Sequence, residues 1–139
     1  MTLRIYDATV EAGCDGIVDD VDIGAAATIE IRTGTQPAVN GALTGTVLAT
    51  FTLQDPAFGA AAASGSGAVA TLLGVPLTDA SADNTGTAGY GAVLGDAVVK
   101  WTGDVTITSG GGDFEIDNLS ITAAQEVRLT SLTLTLPQS

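Results

Sequence analysis

Side chains able to do acid–base or nucleophilic chemistry are few in this chain of 139 residues, and none of them is a histidine. Without histidine the chain lacks the commonest general base, and neither a Ser-His-Asp triad nor a Cys-His pair can form. The single cysteine, Cys14, lies among acidic residues, and a nearby carboxylate raises the pKa of a thiol. We therefore interpret Cys14 as a small, partly buried hydrophobic residue and not as a nucleophile.

Carboxylates supply the other candidates for chemistry. Glu115 and Asp117 could pair as in a glycosidase, but they alternate with Phe114 and Ile116, which is typical of the solvent-facing side of a strand. The glycine-rich stretches at 65–67 and 110–112 lack the Gly-Lys-Ser/Thr sequence of a phosphate-binding loop and predict turns. The sequence therefore predicts a protein that is not an enzyme, with no catalytic residue and no cofactor.

An acidic group at 15–22 invites comparison with calcium-binding loops, because calcium prefers several carboxylate oxygens in a small volume. Its spacing differs from that of an EF-hand loop, since Val18 and Val21 interrupt the acids. We interpret the group as a solvated acidic face and predict no metal site. A calcium-dependent carbohydrate-binding module stays open as an alternative, with these ligands: Asp15, Asp19, Asp20 and Asp22.

The charge balance argues against two kinds of anionic partner, nucleic acids and anionic membranes. Sixteen acidic and 4 basic side chains leave a net charge of −12, and the cations are scattered along the chain. Nucleic-acid binding needs grouped Lys and Arg, and an anionic membrane surface attracts the same groups, so both partners are predicted to be repelled. The first residues carry no signal-peptide pattern and no apolar run reaches the roughly 20 residues of a bilayer span, which predicts synthesis in a cytoplasm.

The elements that position these side chains are predicted to be strands. Apolar residues are 45% of the chain but aromatics only 4%, so Val, Ile, Leu and Ala must fill the core. Alternating patterns predict strands at 28–32 and 46–54, and a further apolar run predicts one at 70–77. Later strands are expected at 88–93, 97–102, 105–108, 114–117, 119–122 and 127–136, with loops at 57–68 and 78–87.

Two local features make sharper predictions. The loop at 109–113 separates two strand patterns and predicts a hairpin. The terminal strand changes phase at Thr130 and Ser131, and a β-bulge there would keep its leucines on one face. These patterns together predict an all-β domain, an antiparallel β-sandwich of immunoglobulin-like or jelly-roll-like kind, over residues 28–139. Residues 1–27 are predicted to form an irregular N-terminal docking arm, a short strand or a short helix.

Four stretches in this order resemble small structural proteins of tailed-bacteriophage virions, which are usually encoded among head and neck genes. They are 29–38 (IEIRTGTQPA), 48–60 with its DPAFGA phrase, 85–88 (TGTA) and 129–137 (LTSLTLTLP). The resemblance covers about residues 28 to 137, and that group supplies no catalytic residue to carry over. It implies a late, non-enzymatic virion protein, most naturally a capsid decoration or cement protein on the outer surface of the capsid.

The resemblance also implies the partners, which are the major capsid protein and copies of the chain itself, with a trimer favoured. A component of the tail or of the head–tail connector is the alternative within the same group. The residues expected to contact a protein partner are these: Tyr6, Ile17, Val18, Val21, Pro37, Phe58 and Tyr90.

Overall fold

The computed structural model describes residues 3–65 and 67–138 as a mostly β protein with one helix. Helix α1 spans Asp7–Val21. The strands are β1 Thr28–Arg32, β2 Val47–Thr52, β3 Ala62–Ala63, β4 Gly67–Thr71, β5 Leu77–Asp79, β6 Gly86–Thr87, β7 Tyr90–Gly95, β8 Val98–Ile107, β9 Phe114–Ile116, β10 Ser120–Ile121 and β11 Val127–Pro137.

Of the structures predicted for residues 1–27, the helix is the one that forms, as α1. Its apolar residues recur every three or four positions, and this stripe is buried against β3, β4, β7 and β11. Gly13 permits close packing, because a Cβ atom there would lie 3.2 Å from Leu136 Cδ2. The buried stripe belongs to the same core as the strands, and its members are Val10, Cys14, Val18 and Val21. Among the described residues no helix is long and apolar enough to cross a bilayer.

The main sheet has nine strands in the order β2-β1-β7-β8-β9-β11-β4-β3, with β5 paired to β11 beside this path. A separate pair, β6 and β10, lies outside it. Most neighbours are antiparallel, as the alternating patterns predict, but β8 and β9 run parallel, with Val105 opposite Phe114 and Ile107 opposite Ile116. The hairpin predicted at 109–113 is therefore wrong: the loop folds back on itself, and the sheet is mixed.

The sheet curls so that β5, which pairs with β11, lies against the edge strand β2. Polar groups at the end of β5 and in the segment after it close this seam: Thr50 N donates to Asp79 Oδ2 at 2.9 Å, Asp83 N donates to Leu48 O at 2.8 Å, and Asn84 Nδ2 donates to Val47 O at 2.8 Å. The outer edge of β2 is thereby occupied, which protects it from pairing with another chain.

Strand β11 contains the irregularity that its leucines predicted. The pairing of β11 with β9 shifts register between Leu129 and Ser131, which confirms the bulge. Because of the shift, Leu129 and Leu132 are both fully buried although three positions separate them.

Other element boundaries differ from the predicted ones. The patterns at 97–102 and 105–108 form one ten-residue strand, β8, because Gly103 continues the ladder opposite Gly91. The predicted loops at 57–68 and 78–87 contain the short strands β3 and β6, and they also hold the ends of β4 and β5. Each short strand has two or three residues, too few for a visible alternation.

The turn between β7 and β8 carries a substitution with a clear expected outcome. Asp96 and Ala97 have φ angles of 51° and 62°, the pattern of a two-residue hairpin turn in which glycine is favoured at the second position. Ala97→Gly is expected to raise the free energy of unfolding by about 1 kcal/mol, measured by urea denaturation. Ala80→Gly is the control, since Ala80 is exposed and has no left-handed φ; it should be neutral or destabilising, and an equal gain in both variants would contradict the argument.

Candidate functional site

The segment that leaves β1 forms a compact loop whose two ends are joined. Thr33 N donates to Thr46 O at 3.0 Å, and Thr46 N donates to Thr33 Oγ1 at 2.9 Å. The residues between them, which we call the 34–45 loop, include no charged side chain. Compact loops with joined ends are frequently functional. This one contains residues 34–38 (GTQPA) of the TGTQPA phrase.

Side chains of the sheet fasten this loop to the outer face of β7 and β8. The buried Tyr90 hydroxyl donates to Thr44 O at 2.6 Å and accepts from Thr44 N at 2.9 Å. Gln36 Nε2 donates to Thr102 Oγ1 at 2.9 Å. The loop is therefore held at two points, and its tip has a defined position relative to β8.

A groove of about 300 Å³ lies between residues 36–41 of the loop and residues 99–102 of β8. Trp101 is half-buried at the groove, and its ring lies 5.7 Å from the ring of the buried Phe58 at an angle of 52°. This packing makes Trp101 partly a core residue, and it fixes the indole beside the groove.

Exposed apolar side chains surround the groove. Val39 at the loop tip is 92% exposed and Val99 on β8 is 40% exposed. We call this region the loop–β8 surface, and it comprises Pro37, Val39, Val99 and Trp101. Exposed apolar side chains gathered at one place are a feature of protein interaction sites.

The charge beside this surface is neutralised within the chain. Lys100 lines the groove, and its Nζ atom lies 2.9 Å from Asp20 Oδ2 on helix α1. The other residues of the described chain that line the groove are uncharged. An occupant of the groove would therefore meet apolar and hydrogen-bonding groups with little net charge.

The seven residues expected at a protein interface do not come together. Tyr6 is 82% exposed just before α1, Ile17 is partly exposed on α1, and Pro37 is half-buried at the loop–β8 surface. The remaining four are buried in the described chain, either beneath the loop–β8 surface or elsewhere in the core. They are Val18, Val21, Phe58 and Tyr90. An apolar helical face or an aromatic residue is equally typical of the core and of a protein interface. Sequence patterns alone therefore did not distinguish the buried residues from interface residues.

Sequence reasoning missed Val39 and also Val99, which follows Val98 in β8. Two adjacent valines in a strand necessarily face opposite sides, so at least one of them is exposed unless both faces of the sheet are covered. Val39 is an aliphatic residue within a stretch otherwise rich in small and polar residues. These two signals could have identified the loop–β8 surface.

The acidic group of helix α1 has structural partners. Asp15 Oδ1 accepts from Ala61 N at 2.7 Å, and Asp22 Oδ1 accepts from Ala57 N at 3.1 Å, so these two carboxylates fix the segment between β2 and β3. Asp20 pairs with Lys100. Across residues 3–65 and 67–138, no group of three or more acidic or cysteine side chains is arranged to hold a metal ion.

The other candidate catalytic side chains also have structural roles. Burial raises the pKa of the Cys14 thiol, and the charge of Asp15 raises it further, so Cys14 stays protonated and weakly nucleophilic. Glu115 accepts from Ser109 N at 3.1 Å and from Gly111 N at 3.0 Å. Asp117 Oδ1 accepts from Arg128 N at 3.0 Å. Each carboxylate holds a neighbouring backbone segment.

Comparison with models of known protein families, with curated proteins and with solved structures found no match to this chain.

Proposed function

We propose that the chain is a non-enzymatic structural protein of a tailed-bacteriophage virion, and that it decorates the capsid by binding the major capsid protein. The observation that carries this proposal is the loop–β8 surface, which presents the exposed Val39 on a loop held by Tyr90 and Gln36, beside Val99 on β8. A loop held in place loses little conformational entropy on binding, so its apolar contacts contribute more fully to affinity.

The resemblance to virion proteins supports the same surface. The stretch 29–38 runs from β1 into the 34–45 loop, and the DPAFGA phrase contributes Phe58, which packs under Trp101. Two of the four resembling stretches thus converge on one place in the fold. The finer assignment of the sheet to a two-layer β-sandwich, and of the assembly to a trimer, belongs to this proposal.

Charge supports a protein partner over a nucleic acid. Three of the four cations have carboxylate partners within the chain: Arg32 with Glu30, Lys100 with Asp20, and Arg128 with Glu126. Few positive charges therefore remain to contact phosphates, whereas DNA binding depends on several such contacts. A decoration protein on the outside of a filled capsid would avoid the packaged DNA for the same reason.

The test is binding to capsids of the phage that encodes the chain, purified from a strain in which this gene is deleted. Val39→Asp is expected to weaken binding at least about tenfold, because it places a charge in an apolar contact worth more than about 1.4 kcal/mol. Leu3→Asp is the matched control, since it introduces the same charge at another exposed apolar residue, and it should bind as the unmodified chain does.

Three outcomes would contradict the proposal. Equal binding of Val39→Asp and the unmodified chain would exclude the loop–β8 surface. Immunogold labelling confined to the tail or neck would replace decoration by the connector or tail alternative. A gene without neighbouring phage head genes would remove the virion assignment altogether.

A further inference from the structure

The connection between β8 and β9 is unusually short for parallel strands. Only residues 108–113 join the two strands, whereas parallel neighbours usually need a crossover of about a dozen residues or more. The chain must therefore reverse direction and run back beside β8 within a few residues. Such a path leaves backbone N–H groups without ladder partners, and these must be satisfied in another way.

Side chains of the two strands satisfy those groups. Gly112 N donates to Thr106 Oγ1 at 3.0 Å, and the Glu115 carboxylate accepts from Ser109 N and Gly111 N. Asp113 N donates to Asp104 Oδ1 at 2.9 Å. Two of the three acceptor side chains are carboxylates, so charge-assisted hydrogen bonds hold the connection.

Asp104 faces a second carboxyl group, that of Asp113. The Asp113 side chain lies over Gly103, where a Cβ atom would be 2.8 Å from Asp113 Oδ2, so the glycine leaves room for the pair. Both residues are exposed to solvent. Partial desolvation of the Asp113 carboxyl nevertheless raises its pKa, and the hydrogen bond to Asp104 and the charge of Asp104 raise it further. The hydrogen bond from Asp113 N, followed by the one from its side chain, lowers the pKa of Asp104.

In the described part of the chain, no cation forms an ion pair with Asp104 or Asp113. Strand β7 places Tyr90 opposite Asp104, and its hydroxyl is bonded to Thr44. Arg32, opposite Tyr90 on β1, is paired with Glu30; Lys100 on β8 is paired with Asp20; and β9 contributes Glu115. Strand β11 approaches through Thr133 N, which donates to Asp113 O at 3.3 Å.

We propose that Asp104 and Asp113 form a proton-dependent switch that holds the 108–113 connection closed while they share one proton. In the closed state protonated Asp113 donates to the Asp104 carboxylate, and Asp113 N donates to the same carboxylate. When Asp113 releases its proton to solvent, two carboxylates face each other and the hydrogen bond between them is lost. The connection then opens more often, although Thr106 and Glu115 still hold its other N–H groups.

The sign of the pH dependence follows from the two shifts. The pKa of Asp113 is raised in the folded chain, so its contribution to stability is full below 3.8 and is lost as the pH rises through the folded value. The pKa of Asp104 is lowered, so its contribution is present above 3.8 and is lost as the pH falls through the folded value. Both contributions are near their full size only around 3.8, so the closed connection is most stable in acid and weakens as the pH rises through the folded pKa of Asp113.

The test combines carbon-13 NMR titration of the carboxyl groups with amide hydrogen exchange of residues 109–113, corrected for the intrinsic dependence of exchange on pH. Asp113 is expected to titrate above 3.8 and Asp104 below it. Protection of the connection should fall several-fold between mildly acidic and neutral pH. Two carboxyl groups that titrate alike, or protection that does not change with pH, would overturn the proposal.

Asp113→Asn supplies the second arm, because an amide can still donate to Asp104 and cannot ionise. Its protection at neutral pH should exceed that of the unmodified chain several-fold and should vary little with pH above 3.8. Asp19→Asn makes the same change in net charge on an exposed residue of α1 and should leave the connection unaffected. Equal effects of the two variants would assign the change to net charge and overturn the switch.

Discussion

Replacing Phe114 by alanine is expected to lower the free energy of unfolding by about 3–5 kcal/mol, the largest effect of any substitution considered. Phe114 is fully buried, pairs with Val105 on β8 and with Leu132 on β11, and so lies where the parallel and antiparallel parts of the sheet meet. Its removal leaves a cavity that the surrounding strands cannot fill. Urea denaturation at neutral pH measures the loss.

Ile107→Ala is the control for this prediction. Ile107 lies on the neighbouring strand but is 54% exposed, so its truncation should cost well under 1 kcal/mol. A small effect at Phe114, or an equal effect at both positions, would contradict the central packing role of its ring.

Gly91 provides a second test of the same ring. A Cβ atom on Gly91 would lie 2.7 Å from Phe114 Cγ, so Gly91→Ala should be destabilising because it pushes the ring out of its site. In a Phe114→Leu background the alanine has more room, and the cost of Gly91→Ala should fall. A double-mutant cycle measures this coupling, and strictly additive free energies would show that the ring does not require the glycine.

Tyr90→Phe is expected to lower the free energy of unfolding by about 1–3 kcal/mol and to loosen the 34–45 loop. The Tyr90 hydroxyl is the partner of both Thr44 N and Thr44 O. Its removal leaves Thr44 N without that partner and leaves Thr44 O with the weaker contact from Arg32 Nη1 at 3.5 Å. Amide exchange at Thr44 should become faster by more than at the centre of the sheet. The binding assay should also show weaker attachment, although Tyr90 itself is buried.

Tyr6→Phe is the matched control, since Tyr6 is the other tyrosine of the chain and is 82% exposed. Its loss of a hydroxyl should change neither stability nor exchange of the loop. If Tyr90→Phe left exchange at Thr44 unchanged, the loop would be held by other contacts, such as that of Gln36 with Thr102.

The loop–β8 surface shows how far local patterns reach in this chain. Alternation located β1 and β2, and the turn composition located the loop between them, because these features depend on neighbours along the chain. Whether Val39 is exposed and Pro37 half-buried depends on where Tyr90 and Gln36 fasten the loop, more than 40 residues away in the case of Tyr90. The predicted interface residues Val18 and Val21 show the converse, since a helical stripe specifies one face without specifying what covers it.

The sequence by itself determined that the chain is mostly β, that β11 carries a bulge, that histidine chemistry is excluded, and that the charge is strongly negative. These properties follow from composition and from a two-residue period, which each segment carries locally. Only the tertiary structure decided that β8 and β9 run parallel, because Thr106, Asp104 and Glu115 bind loop N–H groups that a hairpin would pair differently. Strand direction depends on such tertiary contacts, and the alternation of apolar residues along the chain does not reveal them.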